Sequence, residues 1–265
     1  MSIWRLLKLE THNAYVNMAI DEAILTARIR KLVPNTLRFY RWQPSAVSIG
    51  RFQNIENEVQ LENCTKQGVD VVRRITGGGT VYHDSQDEIT YSVIVNKTDL
   101  STQDVTAVYA KIYAGIAEAL KILHVTADFQ EGNTKTCPNL TVRGKKISGS
   151  AQSHKSGVVL QHGTLLANVD LEKMFTVLRV PWAKTCMEVM NVAKDKITSI
   201  NAELRRKASI EEVNEALVEG FRRALNIELE NGKLTSYELE LAERLSKEKY
   251  ATDGWNLHGK SVNET

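Results

Sequence analysis

Val69-Asp-Val-Val-Arg-Arg-Ile-Thr-Gly-Gly-Gly-Thr-Val-Tyr-His-Asp84 is the stretch whose reading decides the fold. Val69 to Ile75 is β-rich and runs into three glycines, after which Thr80 to His83 and Ile89 to Val95 are again extended. The order is strand, glycine turn, strand and strand. Upstream, Thr36 to Arg41 and Ala46 to Ile49 are short β-rich runs separated by Gln43-Pro44-Ser45, whose proline suits a turn, and they read as neighbouring strands. Downstream, Leu140 to Val142, Lys146 to Ser148 and Val158 to Leu166 are further strands, with turns at Arg143-Gly144 and Ser156-Gly157.

Helices flank this β-rich centre. Asn17 to Lys31 repeats Met18, Ala19, Ala23, Ile24, Ala27 and Ile29 at helical spacing behind an asparagine cap, and Pro34 closes it. Asp104 to Leu123 carries an apolar stripe from Val105 to Leu123 in steps of three and four. Ile210 to Leu225 and Ser236 to Tyr250 are helical, and Ser209 followed by Glu212 predicts a capping box. The expected fold class is α+β, a mixed and largely antiparallel sheet flanked by helices. The expected organisation is one domain over residues 1–265, with helices of 210–256 packed on it and no separate accessory domain.

Three successive glycines cost conformational entropy on folding, so Gly77-Gly78-Gly79 implies that something approaches the backbone closely. Their N–H groups can wrap an anion, and Arg73 or Arg74 adds a permanently charged fork for phosphate or carboxylate. The competing reading is a hairpin turn beside surface arginines. The pattern is neither a P-loop nor a GxGxxG. His83 follows at once and either bonds a ligand or locks the loop. In Arg143-Gly-Lys-Lys-Ile-Ser-Gly-Ser-Ala-Gln152, strand alternation sends Lys146 and Ile147 to opposite faces. If Ile147 enters the core, Lys146 either meets solvent or completes an anion site. His162 lies in the apolar run Val158 to Leu166, where a hydrogen-bonded core histidine is the commoner outcome.

Composition narrows the class. With 42% hydrophobic and 25% charged residues over 265 positions, the chain can bury a sizeable core. No stretch approaches the roughly 18 uninterrupted apolar residues of a membrane span, and the N-terminus lacks the pattern of a signal peptide. A cytoplasmic location is expected. A net charge of +2 gives no footprint for nucleic acid. Cys64, Cys137 and Cys186 have neither disulfide-framework nor zinc-ligand spacing. Cys137 precedes Pro138 in a loop-like segment, Glu131 to Asn139, whereas Cys64 and Cys186 sit in helix-like surroundings where burial is the default.

Taken together, Arg73 to Asp84, Gly144-Lys-Lys-Ile-Ser-Gly-Ser-Ala151 and Gln161-His-Gly-Thr-Leu-Leu166 resemble lipoate-protein ligase catalytic domains. The likeness extends to Phe39-Tyr-Arg-Trp-Gln-Pro44, Ile49-Gly-Arg-Phe-Gln-Asn54 and Lys249-Tyr-Ala-Thr-Asp-Gly-Trp-Asn256, nearly the whole chain. The resemblance implies the fold shared by biotin- and lipoate-protein ligases. It implies ATP, or the lipoyl adenylate, held against Arg74, Gly79, Thr80, Val81 and Tyr82, with Gly77, Gly78, His83 and His162 lining the same pocket. Lys146 then grips the adenylate as the catalytic lysine, and Mg2+ accompanies ATP on ligands the resemblance does not name.

On this reading lipoate is activated to lipoyl-AMP and passed to a lysine on the lipoyl domain of a 2-oxoacid dehydrogenase E2 or a glycine cleavage H protein. Neither nucleic acid nor membrane is an expected partner. Burying the apolar tail supplies about 0.8 kcal/mol per methylene, roughly 5 kcal/mol for an eight-carbon chain. Many such ligases carry a further C-terminal domain, so a separately encoded accessory subunit is a second expected partner. Two alternatives stand beside the ligase. Related octanoyltransferases are equally compact and use a cysteine before the Gly-Lys-Lys segment, which makes Cys137 the alternative nucleophile and octanoyl-carrier protein the donor. The other alternative is a non-catalytic lipoyl- or nucleotide-binding module.

Overall fold

The computed structural model describes residues 2–133 and 137–259. Its strands are β1 (Ser2–His12), β2 (Thr36–Trp42), β3 (Ala46–Ile49), β4 (Asp70–Arg73), β5 (Val81–His83), β6 (Glu88–Asn96), β7 (Asp128–Gln130), β8 (Asn139–Val142), β9 (Lys145–Lys155), β10 (Val158–Leu166) and β11 (Ile227–Asn231). The helices are α1 (Ala14–Ile29), α2 (Ile55–Glu58), α3 (Leu61–Gln67), α4 (Val105–Ile122), α5 (Leu171–Val177), α6 (Cys186–Ala193), α7 (Ile200–Leu204), α8 (Ile210–Leu225), α9 (Ser236–Leu245) and α10 (Asp253–His258).

Among the described residues, eight strands form one sheet in the order β11-β1-β2-β6-β10-β9-β8-β7. The β11–β1 and β1–β2 pairs are parallel, and every pair from β2 onward is antiparallel. This is the mixed, largely antiparallel α+β architecture that the sequence predicts. Strand alternation divides the two faces. Leu37 and Phe39 of β2, Tyr91, Val93 and Val95 of β6 and Val159 of β10 face one core, which α4 and α8 cover. Tyr40 and Trp42 of β2, Ile94 of β6 and Leu160 of β10 face the other, covered by α1 and α9.

The second face also receives a small sheet, β4-β3-β5, with its own apolar cluster. Here an expectation fails. β2 and β3 are consecutive but not neighbours: the turn at Gln43-Pro44 takes the chain out of the large sheet, and β3 pairs with β4 and β5 instead. Propensity marked both strands, whereas partner choice depends on faces that are not local in sequence. The strand-to-strand run from β4 to β5 therefore folds over the large sheet and carries the glycine turn onto its α1 face.

Helix ends follow side-chain capping. Asn13 caps α1, accepting from the N–H of Val16, so the helix starts ahead of the expected Asn17, which is buried. Asp104 caps α4 and Ser209 caps α8. The expected box at Ser209 is only half formed, because the Glu212 carboxylate turns to Arg206; the reciprocal box is at Thr235 and Glu238. Cys64 is buried as expected, while Cys186, at the first turn of α6, is only partly so.

Candidate active site

The two adjacent arginines diverge. Arg73 points toward α10: Nε donates to the Trp255 carbonyl (3.0 Å), Nη2 to that of Asn256 (3.0 Å) and Nη1 to that of Gln53 (2.7 Å). It thereby fastens the Gly-Trp-Asn segment and the loop after β3 to the edge of the small sheet. Arg74 points the other way. Its Nε donates to Thr76 Oγ1 (3.1 Å), Nη1 to Ser48 O (2.9 Å) and Oγ (3.1 Å), and Nη2 to the carbonyls of Gly77 (2.8 Å) and Gly79 (2.6 Å). All five guanidinium N–H groups of Arg74 have protein acceptors. Burial pushes its pKa down to about 10, which leaves it charged at neutral pH. The expected anion-gripping fork is thus a clamp on the glycine turn, and Arg73 is likewise spent on carbonyls.

Two buried histidines stand on either side of the clamp. His162 of β10 has Nδ1 2.9 Å from Asp21 Oδ2 and Nε2 2.8 Å from Thr76 Oγ1. His83 of β5 has Nδ1 2.7 Å from Glu88 Oε1 and Nε2 2.8 Å from Ser48 Oγ, and it stacks on Trp42 with ring centres 4.0 Å apart. Burial lowers the pKa of His162 despite the Asp21 carboxylate against it. Burial alone would raise Asp21, but the bond from His162 and the Arg38 guanidinium outweigh it and hold the carboxyl below its usual range.

The opposite wall comes from β8 and β9. Ile147 is fully buried in the α4 and α8 core and Lys146 faces the other way, as alternation predicts. The β8–β9 register shifts between Leu140 and Thr141, and this bulge brings Lys146 and Gly149 onto the same wall. A Cβ on Gly149 would lie 2.6 Å from both Cε and Nζ of Lys146, so the lysine lies across that glycine. Lys146 is an exposed residue that lines the pocket; desolvation by the atoms around it, with a smaller push from Arg74, lowers its pKa although Cys137 acts in the opposite sense. Its main chain is held by the 196–198 segment, through bonds to Lys196 O and from Thr198 N–H.

Cys137 enters just before β8. A Cβ on Gly78, whose φ is +85°, would lie 3.6 Å from Cys137 Sγ, 3.4 Å from Ala151 Cβ and 3.1 Å from Arg74 Nη2. Asn139 Nδ2 donates to the Cys137 carbonyl (3.1 Å) and the Tyr113 hydroxyl to that of Pro138 (3.0 Å). Burial, then the neighbouring Cys137, raises the pKa of the Tyr109 hydroxyl. Part of the expected 131–139 loop, residues 134–136, lies outside the described residues.

These elements enclose a cavity of about 530 Å³. Arg74, Gly78, Gly79, Thr80, Val81, Tyr82, His83, Lys146, His162 and Cys137 all line it; of the expected site residues, Gly77 does not. Met18, Tyr40, Trp42, Leu166, Met174 and Phe175 add an apolar wall that single-residue reading missed. Asp21, Ser48, Thr76 and Glu88 were missed as well, although Asp21 left a signal: a carboxylate on the apolar stripe of α1 needs a buried partner. Among the described residues no group of three or more histidine, cysteine or acidic side chains is placed to hold a metal, and no helix is long and apolar enough to cross a membrane.

Residues 13–222 match the lipoyl protein ligase A/B catalytic domain. Octanoyltransferase LipM of Brevibacillus brevis is 37% identical over 97% of this chain and 99% of its own length. The LipM of Bacillus subtilis is 35% identical over 96% of this chain and 97% of its own. Among solved structures, a bi-partite lipoate protein ligase from Thermoplasma acidophilum superposes with a TM-score of 0.86 at 30% identity, covering 100% of both chains. A lipoate-protein ligase A bound with ATP gives 0.83 at 31% identity, covering 97% of this chain and 99% of the other.

The full-length likeness to octanoyltransferases overturns the expectation of an ATP-dependent lipoate-protein ligase. The ATP-driven activation of lipoate to lipoyl-AMP falls with that expectation. The segments that suggested it build a scaffold present in both kinds of enzyme, and the arginine expected to face phosphate is consumed internally. By its fold, its matched residues and its relatives, the chain belongs to the lipoyl protein ligase A/B catalytic domain family.

Proposed function

We propose that this protein is an octanoyltransferase: it takes an octanoyl group from the thioester of an acyl-carrier protein onto Cys137 and delivers it to a lysine on a lipoyl domain. The 2-oxoacid dehydrogenase E2 and glycine cleavage H proteins are the acceptor class, in the cytoplasm, with residues 1–265 acting as one catalytic domain. The observation that carries this reading is the meeting of the Cys137 sulfur, the Gly78 turn and the Lys146 ammonium in one cavity with an apolar wall.

The chemistry follows from that meeting. The Cys137 thiol gives up its proton, and the sulfur attacks the thioester carbonyl. The tetrahedral oxyanion is stabilised by N–H groups of the glycine turn and by Lys146, and its collapse expels the donor thiol, which leaves protonated. In the second half, a neutral acceptor lysine attacks the Cys137 thioester. The amide forms, the surplus amine proton returns to sulfur and the free thiol is restored. Neither half consumes ATP. In this reading Lys146, whose pKa desolvation lowers, takes the Cys137 proton as the neutral amine and returns it to the departing thiol. Met18, Trp42 and Phe175 cover the acyl tail in this reading.

The test supplies octanoyl-carrier protein and an acceptor lipoyl domain without ATP. The expected result is octanoylated acceptor, and an octanoyl adduct on the enzyme that is absent from Cys137→Ala. Transfer by Cys137→Ala at the wild-type rate overturns the reading.

A further inference from the structure

Arg74 donates every one of its hydrogen bonds away from Cys137, to the glycine turn, to two hydroxyls and to the Ser48 carbonyl, and what holds it is symmetrical. On one side the chain of contacts is Asp21, His162, Thr76 and Arg74. On the other it is Glu88, His83, Ser48 and Arg74. Every one of these side chains is more than nine-tenths buried. Arginine can only donate, so each hydroxyl accepts from Arg74 and has its own hydrogen left for a histidine Nε2. With Nδ1–H donated to the carboxylate, each Nε2 is then in place to accept that hydrogen.

Rest on the Cys137 reading, and these chains acquire a purpose: we propose that Asp21–His162–Thr76 and Glu88–His83–Ser48 are twin positioning relays that fix Arg74 and, through it, the glycine turn against Cys137. Arg74 Nη2 draws the carbonyls of Gly77 and Gly79 inward. In a trans peptide the next N–H points the opposite way, so drawing in the Gly77 carbonyl turns the Gly78 N–H outward. That N–H has no hydrogen-bond partner among the described residues, and it belongs to the residue nearest the cysteine sulfur on this turn. If the guanidinium rotated, the carbonyls would be free to face the pocket, and a carbonyl oxygen repels the developing oxyanion that an N–H would stabilise. One relay could hold the charge of Arg74; two, gripping Nε and Nη1 separately, fix the plane of its fork as well.

The relay residues are positioning residues, and the test needs a readout that loss of packing alone would not move. Thr76→Val keeps the shape and removes the hydroxyl; Thr76→Ser keeps the hydroxyl. Loading of Cys137 from octanoyl-carrier protein is followed by intact mass under single turnover over a range of donor concentrations. The expected result is a loading rate constant about 10–100-fold lower in Thr76→Val, the scale of a small misplacement of a catalytic group, with half-saturation by the donor unchanged and recovery in Thr76→Ser. Ser48→Ala repeats the experiment on the other arm and carries it if Thr76→Val does not fold. Wild-type loading in folded Thr76→Val and Ser48→Ala overturns the relays while leaving Cys137 as nucleophile. No adduct on the wild type, or one that persists in Cys137→Ala, instead removes the reading on which they rest.

Discussion

The two walls of the pocket are built on opposite terms. On the glycine-turn wall nearly every polar atom is spent: Arg74 fills five acceptor contacts, and both histidines are bonded at each nitrogen. On the Cys137 wall, Lys146 Nζ donates no hydrogen bond among the described residues and lies across a glycine. A side chain whose bonds are satisfied internally has little to offer a ligand, and changing it costs geometry. A cation that lines the pocket without a protein acceptor is free to meet a ligand there. Arg74 and Lys146, both lining the pocket and both expected to hold an anion, thus divide, on the proposed reading, into scaffold and reagent.

Substitutions break this contrast in a ranked order. Cys137→Ala should cost at least about 10⁴-fold in transfer, since removing the nucleophile disables the unit as a whole. Lys146→Ala should lower the loading rate about 10²–10³-fold, as for a lost oxyanion donor, with the melting temperature unchanged because the ammonium donates no hydrogen bond that holds the fold. A lower melting temperature would make Lys146 part of the scaffold after all. Gly149→Ala sharpens the point. A methyl there would meet Lys146 Cε and Nζ at 2.6 Å, and since the end of a lysine is flexible, the ammonium should swing away and the fold survive. Loading should fall about tenfold, on the scale of a modest misplacement. Wild-type loading by Gly149→Ala would mean that the observed lysine position is not the working one.

The fold was largely legible because its signals are local. Val158 to Leu166 and Ile210 to Leu225 are observed with the predicted bounds, and Asp104 caps the long helix that its stripe marks. What escaped is pairing. The separation of β2 from β3 depends on which faces are buried, and the π turn at Ser246–Tyr250 interrupts a helix that reads as continuous. At the site, the glycine turn, Lys146 and Cys137 stand out in the sequence one by one and line one cavity, whereas the internal acceptors of Arg74 leave no mark there. A basic residue beside glycines looks the same whether it faces an anion or its own carbonyls, and only the coordinates separate the two. The relays were invisible for a simpler reason: Asp21 and His162 are 141 positions apart, and neither Ser48 nor Thr76 has a pattern that asks for a histidine.

The smallest effect tests the scaffold wall through its titration. Free His162 has a pKa of 6.5, and in the folded chain burial lowers it, with Arg74 and His83 adding to the effect and Asp21 opposing it. Between 6.5 and the lower folded value, the unfolded chain holds a proton that the folded chain does not. Stability must therefore fall as pH drops through that window and level off below it. The charged form is disfavoured for a structural reason too, since protonating Nε2 removes the acceptor that Thr76 uses. Each pK unit of depression corresponds to about 1.4 kcal/mol, and each kcal/mol to about 2–4 °C in a domain of this size. The measurement is the melting temperature from pH 7.5 downward for the wild type and His162→Gln. His154, an exposed histidine with a lowered pKa, contributes the same slope to both proteins and cancels in the difference. Asp21 begins to titrate only near its ordinary value of 3.8 or below, outside the window. The wild type should lose more melting temperature than His162→Gln on acidification, so the two curves converge as the pH falls through that window. Parallel curves would mean that His162 takes up its proton in place, and that the Asp21 arm does not depend on a neutral imidazole.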